Sequence, residues 1–267
     1  MERITKAGRL FYGIATVALG VQQFFYGSFS LMLFPSWPVD IPGVAIIAYI
    51  GSAALVGAGV AIVLEKRARE VSLVLGGALL AMFCFSYAPY EIIVDPYNKH
   101  LGSWTNALKE LALSGGAFVV AGSFPEQKSN HKESFLINFL EKIIPFGSIF
   151  FSITMISFGI AHFLYVQLVS TLVPSWIPDH SFWTYFAAVA LIGSGVAIIL
   201  KIQLRAIGVL LGTMIFLWFV VLHIPRAVAD PLIQRGNEIT SAFSALAFSG
   251  IAFVISGGYY TEKGRIS

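Results

Sequence analysis

Apolar residues fill the chain in long runs, and short polar or proline-marked breaks separate one run from the next. A membrane-spanning helix needs about 20 mostly apolar residues. Eight segments meet that requirement, at 8–33, 43–64, 71–94, 105–123, 145–168, 183–200, 204–224 and 239–259. The punctuation agrees with this division. Pro35-Ser-Trp-Pro38 and Pro174-Ser-Trp-Ile-Pro178 end the first and fifth segments, and Asp95-Pro96 and Asp230-Pro231 follow the third and seventh. The basic residues near the N-terminus precede a run that is long enough to span and has no clear cleavage site. It is therefore read as a retained first helix rather than a signal peptide.

The runs repeat. Gly20-Val-Gln-Gln-Phe24 matches Gly159-Ile-Ala-His-Phe163 at an offset of 139, and the Pro-Ser-Trp breaks keep that offset. Gly57-Ala-Gly-Val-Ala-Ile-Val-Leu64 matches Gly193-Ser-Gly-Val-Ala-Ile-Ile-Leu200, Pro89 matches Pro225, and Leu111-Ala-Leu-Ser-Gly115 matches Leu246-Ala-Phe-Ser-Gly250. Matched blocks in the same order predict a tandem duplication. The expected fold is all-α and integral to the membrane, with eight transmembrane helices as two parallel four-helix-bundle repeats. Residues 1–123 form the first unit, 124–144 a polar cytoplasmic linker, and 145–267 the second unit. Four is an even number of spans, so both units start on the same side, which predicts a pseudo-two-fold axis along the membrane normal. Gly51, Gly57, Gly59, Gly115, Gly116, Gly193, Gly195 and Gly250 are expected at close helix crossings.

Composition supports the bilayer as solvent. The chain is 57% hydrophobic and 12% charged, with a mean hydropathy of +0.80; a soluble domain carries about a quarter charged residues. The net charge of +3 is too small and too scattered for a nucleic-acid surface, and the single cysteine, Cys84, rules out an internal disulfide or a thiolate cluster. Thirteen lysines and arginines fall on the side of both termini. Lys99, Lys109, Arg226 and Arg235 make up the other side. That bias places both termini in the cytoplasm.

Ionisable groups at membrane depth are costly and mark candidate sites. The candidates are Gln22, Gln23, Lys109 and Glu110 in the first unit and His162, His223 and Arg226 in the second. All fall in the outer half of the bilayer. This predicts a pocket open to the outer leaflet, with Glu110 facing His162, His223 or Arg226 across the central interface. Lys109 points about 100° away from Glu110, and its expected partners are Asp95, Tyr90 or Glu91. His223 and Arg226 also suit a purely structural role at a helix C-terminus, where cations complement the helix dipole. Haem ligation is disfavoured because His223 lies closer to the surface than His162, and a metal held by His162, His223 and Glu110 has no spacing signature. The 14% aromatic content suits a ring ligand such as a quinone, and it suits lipid-facing packing equally.

Leu222-His-Ile-Pro-Arg226, Ala229-Asp-Pro231, Asn237-Glu-Ile-Thr-Ser-Ala-Phe243 and Ala245-Leu-Ala-Phe-Ser-Gly250 resemble the DoxX-like family of bacterial membrane proteins. Gly159–Phe163 and, in the first unit, Ser103-Trp-Thr-Asn106 and Lys109–Gly116 are of the same type. The resemblance implies a fused pair of four-helix units in the bacterial cytoplasmic membrane. It further implies an accessory role beside a membrane or extracytoplasmic redox partner, or a chaperoning role. The first unit departs from the pattern at Tyr87 and Tyr90, where the second has His223 and Arg226. The functional expectation is a non-catalytic subunit binding a hydrophobic molecule, with a ligand-free scaffold as the alternative.

Overall fold

The computed structural model describes residues 1–36, 43–97, 99–125, 135–258, 260–261 and 264–265. Trp37, Pro38, Lys263 and residues 126–134 of the expected linker lie outside the described residues, as does the side chain of Arg235.

Eleven α-helices are seen among the described residues. They are α1 (Glu2–Tyr26), α2 (Val44–Val63), α3 (Ala68–Met82), α4 (Thr105–Gly122), α5 (Phe135–Glu141), α6 (Ile144–Leu164), α7 (Val166–Ser170), α8 (His180–Ile199), α9 (Leu204–Trp218), α10 (Ile224–Ala229) and α11 (Asn237–Ser256). A two-residue pairing of Tyr260–Thr261 with Gly264–Arg265 follows. The first helix is displaced from its expected bounds. It starts near the N-terminus and stops at Tyr26, because Gly27 adopts a left-handed conformation (φ 58°) and its N–H donates to Phe24 O. The chain then folds back into the bundle, where Met32 and Leu33 are buried. The short α5 and α7 were not expected from the apolar pattern.

Two wide π turns, Phe83–Tyr87 and Phe219–His223, extend α3 and α9 just ahead of Pro89 and Pro225, and a third, Tyr90–Val94, follows Pro89. Proline has no N–H and clashes with the carbonyl four residues back, so a local widening of the helix lets it continue.

Among the described residues six helices are long and apolar enough to cross a membrane: Val44–Val63, Ala68–Val94, Ile144–Leu164, His180–Ile199, Leu204–Ala229 and Asn237–Ser256. α1 and α4 stand outside this set. α1 carries Glu2, Arg3, Lys6 and Arg9, and α4 carries Lys109 and Glu110 within 18 residues. The outer surface is strongly apolar: Phe25, Phe85, Ile93, Val228 and Leu232 are all more than 70% exposed. Such a surface points to a lipid environment.

α4 and α11 lie together at the centre, and most residues of both are buried. α11 packs on α1, α4 and α9; α4 packs on α3, α6 and α11. α2 lies against α1 and α3, and α8 against α6 and α9. Backbones meet where glycines coincide. A Cβ on Gly8 would stand 2.5 Å from Gly250 O, and one on Gly250 2.6 Å from Gly8 O. Gly115 and Gly147 block each other in the same way, at 2.5 and 2.7 Å. Gly57 and Gly193, by contrast, meet nothing within 4 Å, so the crossing role expected for them is not seen. Hydrogen bonds tie the helices as well. Ser114 Oγ donates to Gly76 O at 2.8 Å, Ser249 Oγ to Gly212 O at 2.8 Å, Thr154 Oγ1 to Leu108 O at 2.8 Å and Tyr12 OH to Leu113 O at 2.7 Å.

The C-terminal end of α4 is held by two arginines. Arg9 donates to the hydroxyl and carbonyl of Ser123 and stacks on the Phe124 ring. Arg69 donates to Phe124 O at 2.8 Å and pairs with Glu141. The last carbonyls of a helix lack partners of their own, and cations are favoured beside them.

Candidate functional site

α4 sets the geometry of the polar candidates, because Lys109 and Glu110 are adjacent on it and diverge. Lys109 turns toward α11, where Nζ donates to Ser241 Oγ at 3.3 Å and lies within electrostatic reach of Glu238 and His223. Glu110 is fully buried on another side of the helix, where its charge is felt at Tyr87 and Cys84 of the third span. Neither of its carboxyl oxygens has a hydrogen-bond partner among the described residues. The expected pairing is therefore corrected. Lys109, not Glu110, meets His223 and the Arg226 neighbourhood, and its neighbours are Ser241 and Glu238 rather than Asp95, Tyr90 or Glu91. The reason is the rotation of α4 against α11, which one helical step of about 100° converts into a different partner.

Arg226, on α10, makes a two-pronged pair with Glu238 in the first turn of α11, at 2.9 and 2.7 Å. His223 closes the π turn before Pro225, close to Lys109, Glu238 and Arg226, and has no hydrogen-bond partner among the described residues. Glu238 and Ser241 complete the cluster and were missed by sequence reasoning. The available signal was a carboxylate 12 positions after an arginine, across a turn between two helices.

The other candidates are bonded within the bundle. His162 Nδ1 donates to Phe158 O at 2.7 Å, one turn back on α6; since a carbonyl only accepts, Nδ1 carries the hydrogen. Gln23 donates to Ala48 O at 2.9 Å and accepts from Ser30 N–H. Gln22 donates to Gly236 O and Thr240 Oγ1, both at 2.8 Å, and so joins α1 to α11. Glu91 is buried at the end of the third span with one oxygen unpartnered among the described residues, and it hydrogen-bonds Asp95. Asp95, beyond the span, accepts the Tyr97 N–H at 2.7 Å, which holds its carboxyl below the usual carboxylate range. Among the described residues no group of three or more His, Cys, Asp or Glu could hold a metal ion, so His162, His223 and Glu110 do not converge.

Among the described residues, grooves open between outer helices in two places. One, of about 840 Å³ between α8 and α9, is lined at one end by Trp176, Trp183, Phe186 and Trp218 and deeper in by Ala190 and Met214. The other, of about 550 Å³ between α2 and α3, is lined by Gln23, Phe29, Leu33 and Met82 and reaches Arg67 and Glu70 at its far end. Of the six candidates Lys109, Glu110, His162, His223, Arg226 and Gln23, only Gln23 lines either groove. Among the described residues the polar cluster thus lies apart from both grooves.

No family model, curated protein or solved structure matches this chain. The site must speak through its own chemistry. The larger groove offers flat aromatic faces and almost no polar atoms, while the cluster offers donors and a single acid already engaged with Arg226.

Proposed function

We propose that the chain is an eight-span membrane protein of the DoxX-like type, with both termini cytoplasmic, that binds a quinone-like ring molecule from the lipid phase. The observation that carries the ligand reading is the groove of about 840 Å³ between α8 and α9, with Trp176, Trp183, Phe186 and Trp218 at one end. Its size lies within the about 300–1,000 Å³ of ordinary small-molecule sites, and its lining is mainly aromatic and aliphatic. A groove facing lipid admits a ligand already dissolved in the membrane. On this reading the protein is an accessory subunit that holds a redox ring for a membrane or extracytoplasmic partner and performs no chemistry of its own.

The eight-span duplication is supported by the way contacts recur. α1 packs on α2 and α11 as α6 packs on α8 and α4, the glycine crossings pair Gly8 with Gly250 and Gly147 with Gly115, and Ser114 and Ser249 bond matching glycine carbonyls. These matches have the offsets of the sequence repeat. With α1 and α4 counted as spans, each unit has four.

Tryptophan fluorescence tests the ligand reading, because quinones quench neighbouring indoles. A short-chain quinone titrated into the detergent-solubilised chain is expected to quench saturably. Ala190→Phe, which fills the groove and leaves every tryptophan in place, should weaken the apparent affinity by about ten-fold, worth roughly 1.4 kcal/mol. Quenching that never saturates, or that Ala190→Phe does not alter, would defeat the ligand reading.

One observation favours a second reading, a membrane scaffold without ligand. Gln22 and Gln23 place their amide groups on bonds inside the bundle, where they fix the register of α1 against α11 and α2, and His162 Nδ1 is bonded within its own helix.

A further inference from the structure

Apart from the grooves, one polar cluster has donors left over. Arg226 is neutralised by Glu238 through two hydrogen bonds, and Asp230 lies beside Arg226 rather than beside Lys109. Lys109 has three ammonium hydrogens and a single hydrogen-bond partner among the described residues, the neutral hydroxyl of Ser241 at 3.3 Å. His223 stands beside it with a ring N–H in either tautomer and no partner among the described residues. The acid nearest to Lys109, Glu238, has both oxygens engaged by Arg226.

We infer that Lys109, His223 and Ser241 form a binding site for one phosphate group, held at the end of the bundle where Arg226 reaches the surface. The donors come from three elements, α4, the π turn after α9, and α11; Lys109 bonds Ser241 and lies within electrostatic reach of His223, and Glu238, the acid that Lys109 feels, has both oxygens on Arg226. Lys109 is the fifth residue of α4, about 6 Å along the axis from its first residue at 1.5 Å per residue. Ammonium-to-phosphate hydrogen bonds are short and charge-assisted, about twice as strong as neutral ones. The Arg226–Glu238 pair flanks the site and keeps the arginine from competing with Lys109 for the anion. The same chemistry serves the phosphodiester of an acidic lipid or a free phosphate ion. This inference does not depend on the quinone reading, since no residue of the cluster lines the α8–α9 groove.

The test is native mass spectrometry of the full chain in a mild detergent after incubation with phosphatidylglycerol, phosphatidylcholine or inorganic phosphate. One phosphatidylglycerol should survive activation that strips phosphatidylcholine. Its occupancy should fall by about ten-fold in Lys109→Met, the loss of one charge-assisted bond, and persist in Lys109→Arg. Retention of inorganic phosphate with the same response to Lys109→Met assigns the site to a free anion. Equal retention in wild type and Lys109→Met overturns the inference. So does an equal loss in Arg205→Gln, since Arg205 is an exposed residue of α9 remote from the cluster. Should Lys109→Met not yield folded protein, His223→Leu is read in its place, with the same two outcomes.

Discussion

Lys109 and Glu110 show how much one helical step matters inside a bundle. Both were singled out because a charge at membrane depth is costly, about 2.5–3.5 kcal/mol at mid-helix on insertion scales, and that reasoning needs only the sequence. Their partners were not legible. Which face of α4 meets α11 is decided by the glycine crossings and by the fit of Phe118, Tyr12 and Ile251 in the core, not by α4 alone. Glu110 is left fully buried with both oxygens unpartnered among the described residues. An unsatisfied buried polar group costs about 1–3 kcal/mol. Glu110→Met keeps the volume and removes that cost, so it is expected to stabilise the detergent-solubilised chain by about 1 kcal/mol. Thermal unfolding followed by circular dichroism reads this directly. A lower melting temperature would show that the Glu110 carboxyl meets a partner in the membrane.

Helices were more legible than their contacts. Apolar length predicts eight spans, of which six stand among the described helices as long and apolar enough to cross a membrane, and Pro89 and Pro225 mark where α3 and α9 widen into π turns, although the widening itself has no signal in the apolar pattern. The end of α1 was misjudged because the run from Ser28 to Phe34 is apolar enough to continue a helix, whereas Gly27 reverses the chain and buries Met32 against Ser244. Glycines illustrate the limit best. The sequence treats Gly57 and Gly147 alike as small residues in apolar helices, yet Gly147 touches the backbone of Gly115 while Gly57 faces open space. Alanine substitution should separate them. Gly147→Ala forces α4 and α6 apart, since its Cβ would lie 2.7 Å from Gly115 O, and a cost of about 1–3 kcal/mol is expected from overpacking. Gly57→Ala should instead gain up to about 1 kcal/mol from the better helix propensity of alanine. Melting temperatures of the two variants that shift in the same direction would contradict the observed crossings.

At the scale of the whole molecule the two proposed units are interlocked rather than placed side by side. α1 belongs to the first unit but packs on α11 of the second, and α6 of the second packs on α4 of the first. Gln22 and Thr240 exchange hydrogen bonds across the same divide, and Lys109 reaches Ser241 over it. Each unit taken alone would therefore expose one face of its most buried helix, α4 or α11, together with Lys109 or Thr240, whose partners lie across the divide. Small-residue faces and polar groups of that kind are poorly solvated by lipid tails, so neither half has a stable fold of its own to adopt. Two separate chains, 1–125 and 135–267, are accordingly expected to fail when expressed singly and to co-purify as a stable one-to-one complex when expressed together. A tag on one half and mass analysis of the eluate give the stoichiometry. Halves that accumulate singly as folded, monodisperse proteins would mean that the units are independent bundles, and the exchange of α1 and α6 between them would have to be abandoned.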